Sequence, residues 1–567
     1  MSSIIFKRSL IAASLLVACQ ANAALYKVYE PTIETVVIPA ADYTKAYGVA
    51  IQSGAQYGSS GCFTTGSGCD DDASEGEYKL AIETLMSDAA GSRYREEVPF
   101  GMDNGFSYID SQNDYAQYCE DQLGYQSNVC DGWALSNYAI WGQEKAGTAT
   151  PNSKVYIEDN LVSINTDGNT VINALFNDAP TLPKAVGNQS TYNSTDVDSR
   201  NKALNENTSN THINTFEQSR EFDTYSDGTY TYTAGSVSTT GAANNEGTFY
   251  YSQAAIWGAG GASDAAIIPY EGSGTTLSDN KYGSGSIRSF VINSGKIYAV
   301  GYNTYTDQDM DATVFVSSSD DLSTTPTWTS TKVSGAESGS DEDYSNSVLN
   351  GINNNLLAVG EAKRRISSGG ALANRLFVVP NVSTAQSASF LSGGIFFSSA
   401  GGEMGAVNNY NEIVGQVDAE DTRETDGKPR RVRAFIDPYD STGTDATRRA
   451  IFENKSWWLD DLTNGGQYST ANNAYRILDA TDINDDGVIS ATAIKCSAGY
   501  SSTNDYATCD GVESTVAVKL IPIAGATSAD IDAREHSYPK VDKKGGSFGL
   551  FGLAALGLFG IRRKMKS

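Results

Sequence analysis

One short segment recurs along the second half of this chain, and it limits the possible folds more than any other feature. Ile352-Asn353 runs to Val359-Gly360, Val407-Asn408 to Val414-Gly415, and Ile483-Asn484 to Ser490-Ala491, each with seven residues from the Asn to the closing small residue. Ile292-Asn293 to Val300-Gly301 is the same unit with one residue more. Asn and its polar neighbours favour a tight turn, and the alternating apolar residues that follow make a half-buried strand. The closing Gly permits positive φ or a close backbone approach. A second β-rich run follows each unit: Thr313-Val314-Phe315-Val316, Leu376-Phe377-Val378, Ala434-Phe435-Ile436 and Val516-Ala517-Val518.

These anchors share a spacing. Phe315, Phe377 and Phe435 lie 62 and 58 residues apart, and Trp257 precedes Phe315 by 58. Ala139-Ile140-Trp141-Gly142 recurs as Ala255-Ile256-Trp257-Gly258 after 116 residues. One frame thus runs near positions 141, 199, 257, 315, 377, 435 and 517, with no visible match at 199. Several short strands per unit at such a period predict an all-β chain, a β-propeller of about seven blades within a range of six to eight. Two β-sandwiches are the rival, but sandwich strands do not repeat one Asn-to-Gly signature on one spacing. Seven units fill about 406 of the roughly 499 residues between Ala24 and Pro522. An insertion at about 52–132 accounts for most of the remainder. In it, Ser74-x-x-Glu77 followed by Leu80, Ala81, Leu85 and Met86 predicts a capped helix.

The two ends read as processing signals. Lys7 and Arg8, the apolar run from Leu10 to Ala18, and Ala21-Asn22-Ala23 form a signal peptide over 1–23 with cleavage between Ala23 and Ala24. Leu16-Val17-Ala18-Cys19 also fits a lipoprotein box in which Cys19 would be acylated; plain cleavage is preferred because the Ala-x-Ala site is well formed. After a linker at 523–544, the chain ends in Gly545-Gly546, an apolar run from Phe548 to Ile561 and the basic residues Arg562, Arg563, Lys564 and Lys566. Fourteen helical residues rise about 21 Å, short of a roughly 30 Å hydrocarbon core, so the tail at 545–567 makes a poor permanent span.

This tail resembles the GlyGly-CTERM signal of Gram-negative secreted proteins. The resemblance implies recognition by a rhombosortase-type protease, cleavage near Gly545 and Gly546, and delivery to the cell surface. The repeats resemble HAF-type extracellular repeats, with their Ile-Asn turn, Val-Gly strand end and Ala-Phe strand. The whole chain is similar to a family of secreted bacterial proteins of unknown function that join such repeats to such a tail. The leader, the Ala24-Leu25-Tyr26-Lys27 start and the stretch Trp457 to Leu462 carry that likeness. Lys519 and Ala491 depart from the apolar and Gly residues expected of the repeat, which makes the last blade the least secure.

With 68 acidic and 40 basic side chains, the net charge is -28, and removing a leader of +2 and a tail of +4 takes it to -34. Such a surface excludes nucleic acid, whose phosphates need basic partners. Six cysteines follow the leader as three neighbouring pairs, Cys62 with Cys69, Cys119 with Cys130 and Cys496 with Cys509. An even number in an exported chain predicts disulfides, and neighbour pairing is the simplest of 15 connectivities.

Candidate chemistry is sparse. Only His212 and His536 are present, which leaves little for zinc or Ser-His-Asp catalysis. Asp482-x-Asn484-x-Asp486-Gly487 copies the first half of a calcium-binding EF-hand loop, but Ala493 stands where the bidentate Glu belongs. Asp307, Asp309 and Asp311 form a second alternating oxygen set. Calcium is the one cofactor these sets raise, and an Asp-rich turn and a solvated acidic loop without an ion are the preferred readings. Asp460 and Asp461, beside Trp457 and Trp458, are the most site-like carboxylates, since aromatic faces can stack on sugars. A core-plus-surface Trp pair is the commoner reading. Lys363-Arg364-Arg365 and Arg430-Arg431 read as solvated loops.

The expected function is an exported cell-surface or extracellular propeller that binds a glycan, a matrix component or another protein. Signal peptidase and the tail protease would act on it during export, and the tail alone would meet the membrane. The alternative is a propeller glycoside hydrolase or lyase with acids at the channel mouth.

Overall fold

The computed structural model describes residues 24–536 apart from 34–42, 86–110, most of 121–152, 160–169, 178–182, 193–196, 205–209, 241–249, 272–275, 423–429 and some shorter stretches. The N-terminal strand β1 is Tyr26–Tyr29. Blade 1 holds β2 (Lys45–Ile51), β3 (Leu80–Leu85) and β4 (Ser153–Ile157), and blade 2 holds β5 (Thr170–Phe176), β6 (Lys184–Tyr192) and β7 (Val197–Ala203). Blade 3 comprises β8 (Gln218–Ser226), β9 (Thr231–Thr240), β10 (Tyr250–Trp257) and β11 (Ala265–Ile268). A small hairpin, β12 (Thr276–Leu277) with β13 (Lys281–Tyr282), precedes blade 4: β14 (Ser286–Asn293), β15 (Lys296–Thr304), β16 (Met310–Ser317) and β17 (Trp328–Lys332). Blade 5 is β18 (Tyr344–Ile352), β19 (Ala358–Arg364), β20 (Asn374–Val379) and β21 (Ser389–Phe390). Blade 6 is β22 (Gly402–Val407), β23 (Glu412–Asp418), β24 (Val432–Pro438) and β25 (Trp457–Trp458). Blade 7 is β26 (Tyr475–Ile483), β27 (Ile489–Cys496) and β28 (Glu513–Pro522), completed by β1.

The seven sheets are antiparallel meanders, and their first strands touch in cyclic order, β2 to β5, β8, β14, β18, β22, β26 and back to β2. That cycle is a seven-bladed β-propeller. Closure is by β1, which pairs with β28 in the register Tyr26↔Pro522 to Tyr29↔Lys519. The last sheet therefore contains both ends of the fold, and the ring cannot open without breaking that ladder.

The frame read from the sequence marks third strands. Trp257, Phe315, Phe377 and Phe435 lie on β10, β16, β20 and β24, all within the cores between blades. Position 199 falls on β7, so the unmatched slot is a real blade. Trp141 lies outside the described residues, and the third strand of blade 1 is at Ser153–Ile157 instead.

The closing glycines are required by close approach rather than by positive φ. At Gly301, Gly360 and Gly415 a Cβ would overlap the carbonyl oxygen of Ser286, Val348 and Glu403 on the neighbouring first strand. Each first strand is bulged at that point, at Ile287/Ser289, Leu349/Gly351 and Met404/Ala406. Gly187 and Gly235 stand in the same relation to β5 and β8, extending the unit into blades where no Asn-to-Gly signature is read from the sequence.

The repeated Asn residues are latches between blades. Asn353 Oδ1 accepts from the N–H groups of Asn355 (3.0 Å) and Leu357 (3.1 Å), shaping its own turn, while its Nδ2 donates to the Asn408 carbonyl of the next blade (2.8 Å). Asn408 repeats this, accepting from Tyr410 and Glu412 and donating to the Asn484 carbonyl at 3.1 Å. Asn484 accepts from Val488 and donates to the Gln52 carbonyl of blade 1 at 3.0 Å. Asn293 reaches the Asn354 carbonyl at 3.4 Å. A primary amide offers a donor and an acceptor on one short side chain, which is why this turn uses Asn rather than Asp.

The expected capped helix after Ser74 is absent: Leu80–Leu85 is β3, the central strand of blade 1, pairing with β2 and β4. Its six residues are all buried, so apolar spacing there reflects a strand covered on both faces, a pattern that mimics helical periodicity over a short run. The chain inserted into blade 1 is thus split, part before β3 and part after it. Cys62–Cys69, Cys119–Cys130 and Cys496–Cys509 are the three disulfides.

Candidate functional site at the seam of blades 6 and 7

Asp460 and Asp461 sit on a single helical turn, Leu459–Leu462, that carries the chain from β25 towards blade 7. Trp457 and Trp458 precede them with side chains on opposite faces of a strand. Trp457 packs into the core of the last two blades and donates from Nε1 to the Phe452 carbonyl, whereas Trp458 packs between blades 5 and 6. The pair therefore anchors two cores and forms no shared aromatic platform.

Both carboxylates are buried, with 2% and 3% of their surface exposed. Asp460 accepts from the Ile477 N–H at 3.0 Å. Asp461 accepts from the Arg534 N–H at 3.0 Å and faces His536 Nε2 at 3.2 Å. Arg534, itself buried, donates from Nε to the Asp460 carbonyl (2.8 Å) and from Nη2 to the Thr463 hydroxyl (3.1 Å). Asn464 Nδ2 holds the Asp532 carbonyl at 2.8 Å. His536 Nδ1 and Arg433 Nη1 meet on the carboxylate of Asp505, from the loop between β27 and β28.

Electrostatics follow from this enclosure. Hydrogen bonds to Asp461 and Asp505 raise the His536 pKa to about 9. Burial pushes against Asp505, yet His536 and Arg433 hold its pKa below the usual carboxylate value. Burial raises Asp460, with Arg534 and Arg433 opposing. Burial, with Arg534 nearby, lowers Arg476 to about 10. These groups form a charge lock that fastens residues 531–536 across the seam.

The oxygen sets considered for calcium are otherwise engaged. Asp482 accepts from the Ile51 N–H (2.9 Å), and Asp486 accepts from the N–H groups of Gln56 (2.7 Å) and Tyr57 (3.1 Å) and from the Tyr78 hydroxyl. With Asn484 they join blade 7 to blade 1. Asp307 lies outside the described residues; Asp311 is buried and accepts from the Ser338 N–H and hydroxyl, beside Lys332 at 3.1 Å, while Asp309 is half-buried in the preceding loop. Among the described residues no group of three or more His, Cys, Asp or Glu side chains is arranged to hold a metal ion.

Lys363 and Arg364 end strand β19 rather than a solvated loop, and two further basic residues are buried against expectation. Arg430 is buried, bonded to Asp418 and Asp421 and to the Ser399 carbonyl. Lys519 is also fully buried, pairing with Glu158 at 2.7 Å and donating to the Tyr78 carbonyl at 2.8 Å. It joins the last blade to the first where an apolar residue was expected. Burial lowers the Lys519 pKa and raises that of Glu158, and the pairing opposes both shifts. Arg433, Asp505 and Arg534 carried no signal in the sequence, since 29 to 101 residues separate them. Ala24 is buried at the start of β1's approach, whereas Ala23, Gly545 and Gly546 lie outside the described residues.

Among solved structures the chain is similar to a Penicillium chrysogenum alpha-L-arabinanase complexed with arabinobiose, at 11% identity and a TM-score of 0.26 over 66% of this chain and 86% of that one. It is also similar to a structure described as NanB plus Optactamide, at 9% identity and a TM-score of 0.28 over 88% and 70% of the two chains. No curated protein matches it. Residues 186–564 match the family described as protein of unknown function DUF3466, and the chain belongs to that family.

Proposed function

We propose that this protein is an exported propeller, displayed at the cell surface or released outside the cell, that works as a binding module for a glycan, a matrix component or another protein. Its leader is removed after Ala23, and its tail is processed at the Gly545-Gly546 pair. The observation that carries the reading is the pairing of all six post-leader cysteines, a state that persists in oxidising compartments. The engagement of the Asp460 carboxylate by the Ile477 N–H, and of the Asp461 carboxylate by the Arg534 N–H and His536, supports binding over catalysis. Among the described residues no helix is long and apolar enough to cross a membrane; the apolar run from Phe548 to Ile561 with its basic finish supports membrane contact through the tail. The intact mass of protein released from cells tests export, and should match a chain that begins at Ala24, ends near Gly546 and has three disulfides. A mass retaining residues 1–23, or six free thiols, overturns the reading. Polysaccharide turnover tests the binding role. Activity that Asp460→Asn or Asp461→Asn abolishes without lowering Tm would make the protein a propeller glycosidase or lyase instead.

A further inference from the structure

The connection between β27 and β28 doubles back as a long loop, and Cys496–Cys509 ties its base across 13 residues. Tyr500 bridges to Cys509, and the Ser501 N–H donates to the Thr508 carbonyl at 3.0 Å. From Ser501 to Asp510 every residue but Asp505 is exposed or half-buried, so the loop has almost no core of its own. Its tip nevertheless joins three parts of the molecule. Asp505 takes Arg433 from blade 6 and His536 from the C-terminal segment, and its N–H donates to the Glu535 carbonyl at 3.3 Å. Arg476, at the start of blade 7, donates to the carbonyls of Ser502 and Asn504, both at 3.1 Å. The Tyr506 hydroxyl donates to Glu420 of blade 6 at 3.1 Å, and Arg431 covers the Tyr506 ring at 4.9 Å.

A loop with this little burial keeps one shape only if its chain entropy is removed in another way. We propose that the Cys496–Cys509 disulfide conditions the docking of the C-terminal segment: with that bond closed, Asp505 is held where it bolts residues 531–536 across the seam, and with it open the segment is released. The seam then has two states set by the redox compartment. This holds whether or not the tail is processed, so it goes beyond the export reading. Closure is thiol–disulfide exchange with an external disulfide of the oxidoreductase class. The Cys496–Cys509 bond forms, the donor's S–S bond breaks, and the two protons and two electrons of the cysteine thiols end on the donor's two thiols.

Limited trypsinolysis of the full chain, followed by mass spectrometry, reads the docking directly, because the Arg534–Glu535 bond is inside the lock. Closing a loop of about 15 residues favours the closed form by roughly a hundredfold. In a Cys496→Ser/Cys509→Ser variant, cleavage at Arg534 should therefore accelerate by at least about tenfold, while Cys119→Ser/Cys130→Ser leaves it unchanged. Should the double variant fail to fold, wild-type protein titrated with reductant decides the matter. Cleavage should then rise in step with alkylation of Cys496 and Cys509. Full alkylation of those two thiols in a folded ring with cleavage at the oxidised rate overturns the proposal, as does an accelerated cut that follows only the other cysteines.

Discussion

At the scale of residues, the ring is held by side chains that do two jobs. Asn408 shapes its own turn through Oδ1 and reaches blade 7 through Nδ2, which also donates to Glu412 at 2.7 Å. Asn408→Asp removes the donor and sets a second carboxylate beside buried Glu412. It should destabilise the protein by about 1–3 kcal/mol in denaturant melts, more than the same change at exposed Asn354. Had the Asn been only a turn former, Asp would serve as well and the two variants would match. His536 gives a pH signature. Its folded pKa, near 9, lies above the ordinary histidine value of about 6.5, so its contribution is fully present below pH 6.5 and is lost as pH rises through 9. Tryptic cleavage at Arg534, corrected for trypsin's own pH profile, should increase between pH 7 and 10 in wild type. In His536→Gln it should be fast and pH-independent.

At the scale of elements, the recurring unit is a bulged first strand, an Asn turn and a second strand whose Gly receives the bulge. Gly360→Ala sets a methyl against the Val348 carbonyl, and Gly415→Ala does the same at Glu403. Each should cost about 1–3 kcal/mol, with the lost stability seen as a lower Tm. An unchanged Tm in both would show that the bulge yields freely. The unit was legible at Asn293, Asn353, Asn408 and Asn484 because turn and strand residues are local in sequence. In blade 2 the turn residue is Asn177, ten residues before Gly187, and in blade 3 it is Asp227, so the Asn and the seven-residue spacing do not occur together there. Leu80–Leu85 was misread for a related reason: a strand buried on both faces loses its alternation, and over six residues apolar runs fit either period.

At the scale of the molecule, both ends of the fold meet at blade 7. The Leu25 N–H donates to the Leu462 carbonyl, and the Ile523 N–H donates to the Leu25 carbonyl, so β1 ties the last blade to blade 6 and to the outgoing chain. Deleting residues 24–29 should uncover the edge of β28. Size-exclusion chromatography should then show oligomers or aggregates, with a lower Tm for any remaining monomer. A monomer of unchanged Tm would mean the ring closes without β1. By itself the sequence determined the sheet class and the period, since each depends on residues within one unit, and it narrowed the blade number to six to eight with neighbour pairing as the simplest cysteine scheme; the ring of seven sheets and the three disulfides were decided by the structure. Only the tertiary structure decided what Asp460, Asp461, Asp505, Arg433, Arg534 and His536 do together. Their meeting depends on how two blades and a returning chain end pack, and charges that far apart in a chain with 68 acids leave no periodic trace.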